Sequence, residues 1–379
     1  MVAVSYLLRR RGCDPVATLA WFCTLIALIS TPAPAQESPI RLPPGFQMHV
    51  FASGLGGPRF MAMDPSGTLV VSIPSHGRIV ALPDRRGQGK ADEIVTVASD
   101  LDLPHGLVFS QGHLYVAETG RIVRFRYDLA TLTASDPVVI VPNLPVGSHH
   151  WTRTIAFGPD GTLYVAVGSS CDTCREQDRR RAAIVRYNVD GSGERLFATG
   201  LRNPVGLAFH PTTGALWTTV NERDWRDGRA PPDYITEVRE GASYGWPDCF
   251  ASQRRFTPDP EFGGSGRCRE MTLPTLEVPP HSAPLGLVFY SGQQFPPAYL
   301  GSLLVAYHGS RAGLLPAGYK IVRVTFQGGQ PVRIDDFARG WRQGDRVWGT
   351  PVDLLTGKDG SLYISDDHAG VIHRVTFGR

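Results

Sequence analysis

Apolar and polar residues alternate with a period of two along most of this chain, and the alternation comes in recurring phrases. TIAFGPDGTLYVAVGS, residues 154–169, is one of them. A period of two marks strands with one buried face, and the Gly-Pro-Asp-Gly connection marks a tight hairpin. The same grammar, a short apolar strand, a glycine turn, a Leu-Tyr-Val strand, a polar loop and an Ile-Val-Arg-Tyr strand, can be found six times. Anchored on Met63, Phe109, Phe157, Phe209, Phe289 and Leu355, the copies are 46, 48, 52, 80 and 66 residues apart. Such periods predict four-stranded propeller blades, with insertions in the fourth and fifth. A leftover strand, FQMHVFASGL at 46–55, precedes the first copy. Paired with the final blade it would close the ring and remove an open sheet edge. The expected fold is therefore all-β, a single six-bladed β-propeller over 36–379. A sandwich of the same strands would leave the common grammar unexplained.

The first 35 residues do not share this pattern. Arg9, Arg10 and Arg11 precede an apolar stretch from Val16 to Ser30, and Ala33-Pro34-Ala35 follows. That is the layout of a cleaved signal peptide, so a periplasmic or secreted protein with no stable membrane span is expected. Cleavage would remove Cys13 and Cys23 and leave Cys171, Cys174, Cys249 and Cys268. Four cysteines permit three pairings, and their spacing favours Cys171 with Cys174 and Cys249 with Cys268. Covalent haem would need a histidine where Arg175 stands, and zinc would need a second close ligand couple.

Charge changes the picture little. The formal net charge of +3 falls to +1 once Arg9, Arg10, Arg11 and Asp14 are removed, and no basic run points to nucleic acid. With 42 Gly, 31 Pro and 19% charged residues, the composition suits turn-rich β-structure.

In a propeller, loops distant in sequence meet at one mouth of the axis, so polar residues just before each innermost strand face a shared pocket. His105, His150, Arg202 with Asn203, His281 and the HGSR stretch His308–Arg311 hold or adjoin such positions. Any one of these histidines has an ordinary use in holding a turn; several imidazoles and guanidiniums together suit an oxygen-rich or polyanionic ligand and a deprotonation. Glu222, Asp224 and Asp233, with loop carbonyls, are hard oxygen donors of the kind calcium takes, though a solvated charged loop has the same composition.

Read together, LRNPVGLAF, NERD, PPDY, YGWPDC, HSAPLGL and HGSR resemble the sorbosone dehydrogenase family, relatives of the soluble quinoprotein glucose and aldose-sugar dehydrogenases. The resemblance spans essentially the whole mature chain. It implies a propeller enzyme that oxidises a sugar or related alcohol or aldehyde, with pyrroloquinoline quinone and Ca2+ as cofactors and an external electron acceptor. By motif, His150, eight residues before Gly158, is the implied general base, and substrate hydride passes to the quinone. Arg202 and Asn203 are the implied quinone contacts, and Asn221, Glu222, Arg223 and Asp233 fall on the calcium loop. The family's quinone-binding lysine has no match here; His308 and Arg311 occupy that neighbourhood. Its late arginine pair falls on Thr350 and Val352, with Arg346 as the nearest substitute. Two other classes share the fold: a calcium-dependent lactonase built from Glu222, Asn203 and Asp233, and a non-catalytic binding propeller.

Overall fold

The computed structural model describes residues 39–147, 149–224, 230–264, 266–310 and 317–378. The expected signal segment and Arg311 lie outside them. Among the described residues no helix is long and apolar enough to cross a membrane.

Six antiparallel four-stranded sheets follow one another along the chain. Blade 1 is Met61–Met63, Leu69–Ile73, Arg78–Leu82 and Val95–Ala98; blade 2 is Leu107–Ser110, His113–Ala117, Ile122–Asp128 and Thr133–Val141. Blade 3 is Arg153–Phe157, Leu163–Val167, Ala183–Tyr187 and Arg195–Thr199. Blade 4 is Pro204–Phe209, Leu216–Val220, Asp233–Glu237 and Leu276–Val278, with the hairpin Cys249–Ser252 and Arg255–Pro258 inserted before its outer strand. Blade 5 is Pro284–Phe289, Leu303–Tyr307, Lys320–Gln327 and Gln330–Arg339. Blade 6 is Pro351–Thr356, Leu362–Asp366 and Val371–Phe377, completed by Phe46–Ala52, which runs antiparallel to the last of these with Phe46 opposite Phe377. The expected closure is thus present, and so are both favoured disulfides.

The second strand of each blade shows how burial selects its sequence. Leu69–Ile73, Leu163–Val167, Leu216–Val220, Leu303–Tyr307 and Leu362–Asp366 are buried at every position, because a neighbouring blade covers each face. The apolar core accordingly falls into clusters between adjacent blades. Val70, Ile79 and Ala81 of blade 1 pack on Leu114, Val123 and Phe125 of blade 2, and Tyr363 and Ile372 of blade 6 pack on Val71 and Leu82 of blade 1. Each fully buried aliphatic side chain contributes about 1.5–3 kcal/mol.

A separate cluster of Phe60, Val205, Leu285 and Val352 fills the axis just inside one mouth. The innermost strands crowd there, which is why they carry glycine: a Cβ on Gly206 would stand 2.3 Å from the Leu285 carbonyl oxygen, and one on Gly106 2.7 Å from that of Arg153. Second-strand hydroxyls tie blades 1, 4 and 6 to the blade that follows. Ser72 Oγ donates to the His105 carbonyl (2.8 Å), Thr219 Oγ1 to that of Leu285 (2.6 Å) and Ser365 Oγ to that of Arg59 (2.6 Å).

Blade 6 meets blade 1 through a carboxyl group as well. Asp353 Oδ2 accepts the Met61 N–H at 2.9 Å, and burial pushes the acid up to about 7. Its folded pKa exceeds the unfolded value near 3.9, so the stability it contributes is complete below that pH and is lost as pH rises through about 7. Asp353→Asn keeps an acceptor for Met61 and removes the titration. Urea midpoints measured from pH 4 to pH 8 should therefore fall less steeply for the variant; equal slopes would refute the assignment.

Candidate active site

Strand register decides which residues share the mouth. The first residue of an inner strand lies opposite the last of the second strand: Arg153 opposite Val167, Pro204 opposite Val220, Pro284 opposite Tyr307 and Pro351 opposite Asp366. Residues before an inner strand and residues after a second strand therefore emerge on one face. The first set holds Arg59, His105, His150, Arg202 and His281, of which sequence reasoning named all but Arg59; the second holds Ser169, Asn221, His308 and Asp367, of which it named Asn221 and His308.

His150 and Arg202 do come together. The half-buried His150 has a left-handed backbone, φ 34°, a strained conformation of the kind that persists where the surroundings impose it. Here Arg153, fully buried, does so by donating to the carbonyls of His150 (3.0 Å), Thr152 (2.7 Å) and Pro145. The imidazole Nδ1 faces the Ser169 carbonyl at 3.1 Å and Ser169 Oγ at 2.9 Å, and that hydroxyl already donates to the Cys171 carbonyl at 2.6 Å. Nδ1 must then carry the hydrogen, which leaves the Nε2 lone pair as the basic site. Burial first, then the Arg202 guanidinium and His149, hold His150 down to about 2, so the ring is neutral. Gly168 makes the approach possible: a Cβ there would lie 2.5 Å from Asn203 Oδ1 and 2.6 Å from the His150 Cβ.

Arg202 is 1% exposed and meets acceptors from two loops. Nε donates to the Asp172 carbonyl (2.9 Å), Nη2 to Asp172 Oδ1 (2.7 Å), and Nη1 to the carbonyls of Asn221 (3.1 Å) and Glu222 (2.7 Å). Asp172 sits in the loop that the Cys171–Cys174 disulfide closes, and its Oδ1 also accepts the Asp224 N–H at 3.1 Å. Asp224 in turn reaches His281 Nδ1 at 3.3 Å. His105 has a different role: fully buried, it stacks on Phe60 with ring centres 4.3 Å apart and serves the core beneath the mouth.

The residues expected to hold calcium surround Arg202 and do not form an open cage. The Asn221 and Glu222 carbonyls face its guanidinium. Arg223 pairs with Asp259 at 2.6 Å, and Asp233 accepts the N–H groups of Glu222 (2.8 Å) and Ala283 (2.9 Å). Burial raises Glu222 to about 8 and Asp233 to about 7. Among the described residues the cluster of three metal-type donors is Cys171, Cys174 and Glu176, whose sulfurs are already joined.

Beside Trp151, the residue after His150, the mouth opens into a cavity of about 540 Å³, lined also by Arg59, His308, Tyr319, Thr350 and Asp367 among others. This volume lies within the range of small-molecule sites. His308 is here, 3.2 Å from Asp367. Arg346 does not line it; its side chain is exposed and lies 3.4 Å from the Trp348 ring centre. The substitute expected for the late arginine pair is thus engaged by Trp348 and absent from the lining.

A family model described as TrAA12-like matches residues 40–377. The chain belongs to the TrAA12-like family. It is 27% identical over 372 residues to an uncharacterized protein of Borreliella burgdorferi, covering 93% of this chain and 95% of that one. It is also 27% identical over 350 residues to the pyrroloquinoline quinone-dependent pyranose dehydrogenase of Coprinopsis cinerea, over 78% of this chain and 46% of the enzyme. The chain thus spans about half the length of that relative. The holo form of the enzyme's quinone domain superposes with a TM-score of 0.76 at 23% identity, over 89% of this chain and 97% of that domain. A calcium structure of the Trichoderma reesei family AA12 enzyme gives 0.78, also at 23%, over 89% and 97%. Both share the propeller fold.

For a TrAA12-like chain the natural test is whether the mouth suits a quinone that carries carboxylates. Asn203 Oδ1 is buried without a partner among the described residues, beside Gly168, and Nε2 of His150 is a free acceptor. Buried Arg202 and Arg181 add positive charge around them. These features fit a polyanionic planar ligand. In the set expected to hold calcium, Asn221 Oδ1 is likewise buried without a partner among the described residues, while the Asn221 and Glu222 carbonyls and the Asp233 carboxylate already accept hydrogen bonds. Sequence reasoning missed Ser169, Asp172, Trp151, Arg59 and Asp367. Their signal was positional, since Ser169 and Asp367 follow second strands, Asp172 comes three residues after Ser169, and Arg59 and Trp151 precede inner ones.

Proposed function

We propose that this chain is a quinoprotein dehydrogenase that oxidises a sugar or a related alcohol or aldehyde, sorbosone-type substrates included, and passes electrons to an external acceptor outside the cytoplasm. One observation carries the reading: a neutral imidazole with its Nε2 lone pair free, beside a buried guanidinium and an unpartnered amide oxygen, at the mouth of a TrAA12-like propeller. Pyrroloquinoline quinone, when bound, supplies the two-electron hydride acceptor. The residues around it do the rest. His150 Nε2 takes the substrate hydroxyl proton while Nδ1–H stays on the Ser169 carbonyl, which orients the ring. With Arg202 so close, the imidazolium that forms needs negative charge in the mouth, which an anionic ligand brings. Asn203 and Arg202 border the reacting side, and the cluster of Phe60, Val205, Leu285 and Val352 keeps the axis below dry.

A lactonase would need Glu222, Asn203 and Asp233 to converge as metal ligands, and Asp233 is instead engaged by two backbone N–H groups. Reconstitution separates the two. Purified protein given pyrroloquinoline quinone, with and without Ca2+, should reduce a redox dye on addition of an aldose or an aldehyde sugar. Acidification of a lactone without quinone, with no dye reduction across a sugar panel, would overturn the proposal.

A further inference from the structure

The cavity beside Trp151 contains an arginine from a blade that none of the expected site residues came from. Arg59 precedes the inner strand of blade 1, where its N–H donates to the Ser72 carbonyl (2.9 Å) and its own carbonyl accepts Ser365 Oγ (2.6 Å). Both links fix the backbone on the mouth. Its guanidinium donates through Nη1 to Asp367 Oδ2 at 2.7 Å, lies 6.0 Å from the Trp151 ring centre, and leaves Nε buried without a partner among the described residues.

Asp367 is shared. Its Oδ1 also faces His308 Nε2 at 3.2 Å and accepts Thr350 Oγ1. The other ring nitrogen of His308, Nδ1, faces the Gly309 carbonyl at 3.1 Å. Arg59 and His308 thus share one carboxylate, while the Arg59 fork keeps an unpartnered N–H beside an indole wall. A flat ring bearing carboxylates suits that pairing, since a guanidinium fork binds carboxylate in a bidentate manner and an aromatic face stacks on the ring.

We propose that Arg59, seated by Asp367, binds a carboxylate of an aromatic polycarboxylate stacked on Trp151. The proposal rests on the quinoprotein reading in one respect only, that pyrroloquinoline quinone is such a ligand. Arg59 then supplies from blade 1 the anchor that Thr350, Val352 and Arg346 do not.

The test uses the full chain and calorimetry with two probes, pyridine-2,4,6-tricarboxylate and pyrroloquinoline quinone, and the trimethyl ester of the former as the uncharged control. Arg59→Ala should weaken both acids by roughly 10- to 100-fold, in line with a charge-assisted pair, and leave the ester unchanged. Arg59→Lys, which keeps the charge but not the fork, should fall between; it also serves if the alanine variant does not fold. Equal loss of acid and ester, unchanged acid affinity in both variants, or no tricarboxylate binding by the wild-type protein would each overturn the proposal. Arg59-dependent tricarboxylate binding in a protein that never reduces dye would refute the dehydrogenase reading and leave this site standing.

Discussion

Replacing His150 with glutamine should lower the turnover of the quinone-loaded protein by about 10² to 10⁴, the usual worth of a positioned base, while quinone affinity changes only a few-fold. The glutamine amide can still donate to the Ser169 carbonyl, so the loop keeps its hydrogen bond. What it lacks is the second nitrogen, the one atom at this position with a lone pair able to take a proton. The split between kcat and binding is therefore the informative measurement. Calorimetry with the quinone and dye-coupled turnover on the same sample would decide it. Unimpaired turnover would remove His150 from the chemistry, and a matching collapse of quinone affinity would reduce it to a binding residue.

Arg202→Met should cost about 1–3 kcal/mol of stability, the range for leaving buried acceptors without a donor, since the partner carboxylate of Asp172 is partly exposed and screened. Methionine fills much of the volume but offers no donor, so the Asp172 carboxylate and the carbonyls of Asp172, Asn221 and Glu222 lose their hydrogen bonds together. A second effect separates this from simple loss of packing. Arg202 is the largest charge acting against His150, so its removal should let that imidazole titrate nearer its ordinary value. Urea unfolding and ring proton shifts followed against pH read the two effects independently. A stability change below about 1 kcal/mol together with an unmoved His150 would contradict the network described.

The fold was legible because each blade repeats the same conflict and resolution: strands buried on both faces need continuous apolar residues such as Leu163–Val167, and the hairpins between them need Gly-containing turns. The closing strand was legible for a related reason, as Phe46–Ala52 had no partner within the first repeat. The site was half legible. His150, Arg202 and Asn203 were found by their place before inner strands, and register confirms why that place matters. Arg59 and Asp367 were not, because they are 308 residues apart and only ring closure brings them to 2.7 Å. Arg346 differs: it is close in sequence to the mouth, yet its guanidinium stacks on Trp348. Around the calcium set the surroundings were not legible, because a carbonyl's partner cannot be read from sequence. Nothing in the phrase NERD announces that its first two carbonyls cap an arginine contributed by another loop.

The pairing of Phe46–Ala52 with Val371–Phe377 also governs how the molecule is assembled and how it comes apart. During synthesis the earliest strand must wait, solvated and unmatched, until the last has emerged, a delay that long-range pairing imposes on any folding route. Once joined, the two act as a clasp, and an exopeptidase or a mechanical pull at either terminus must undo this seam before it can reach the blades that carry His150 and Arg202.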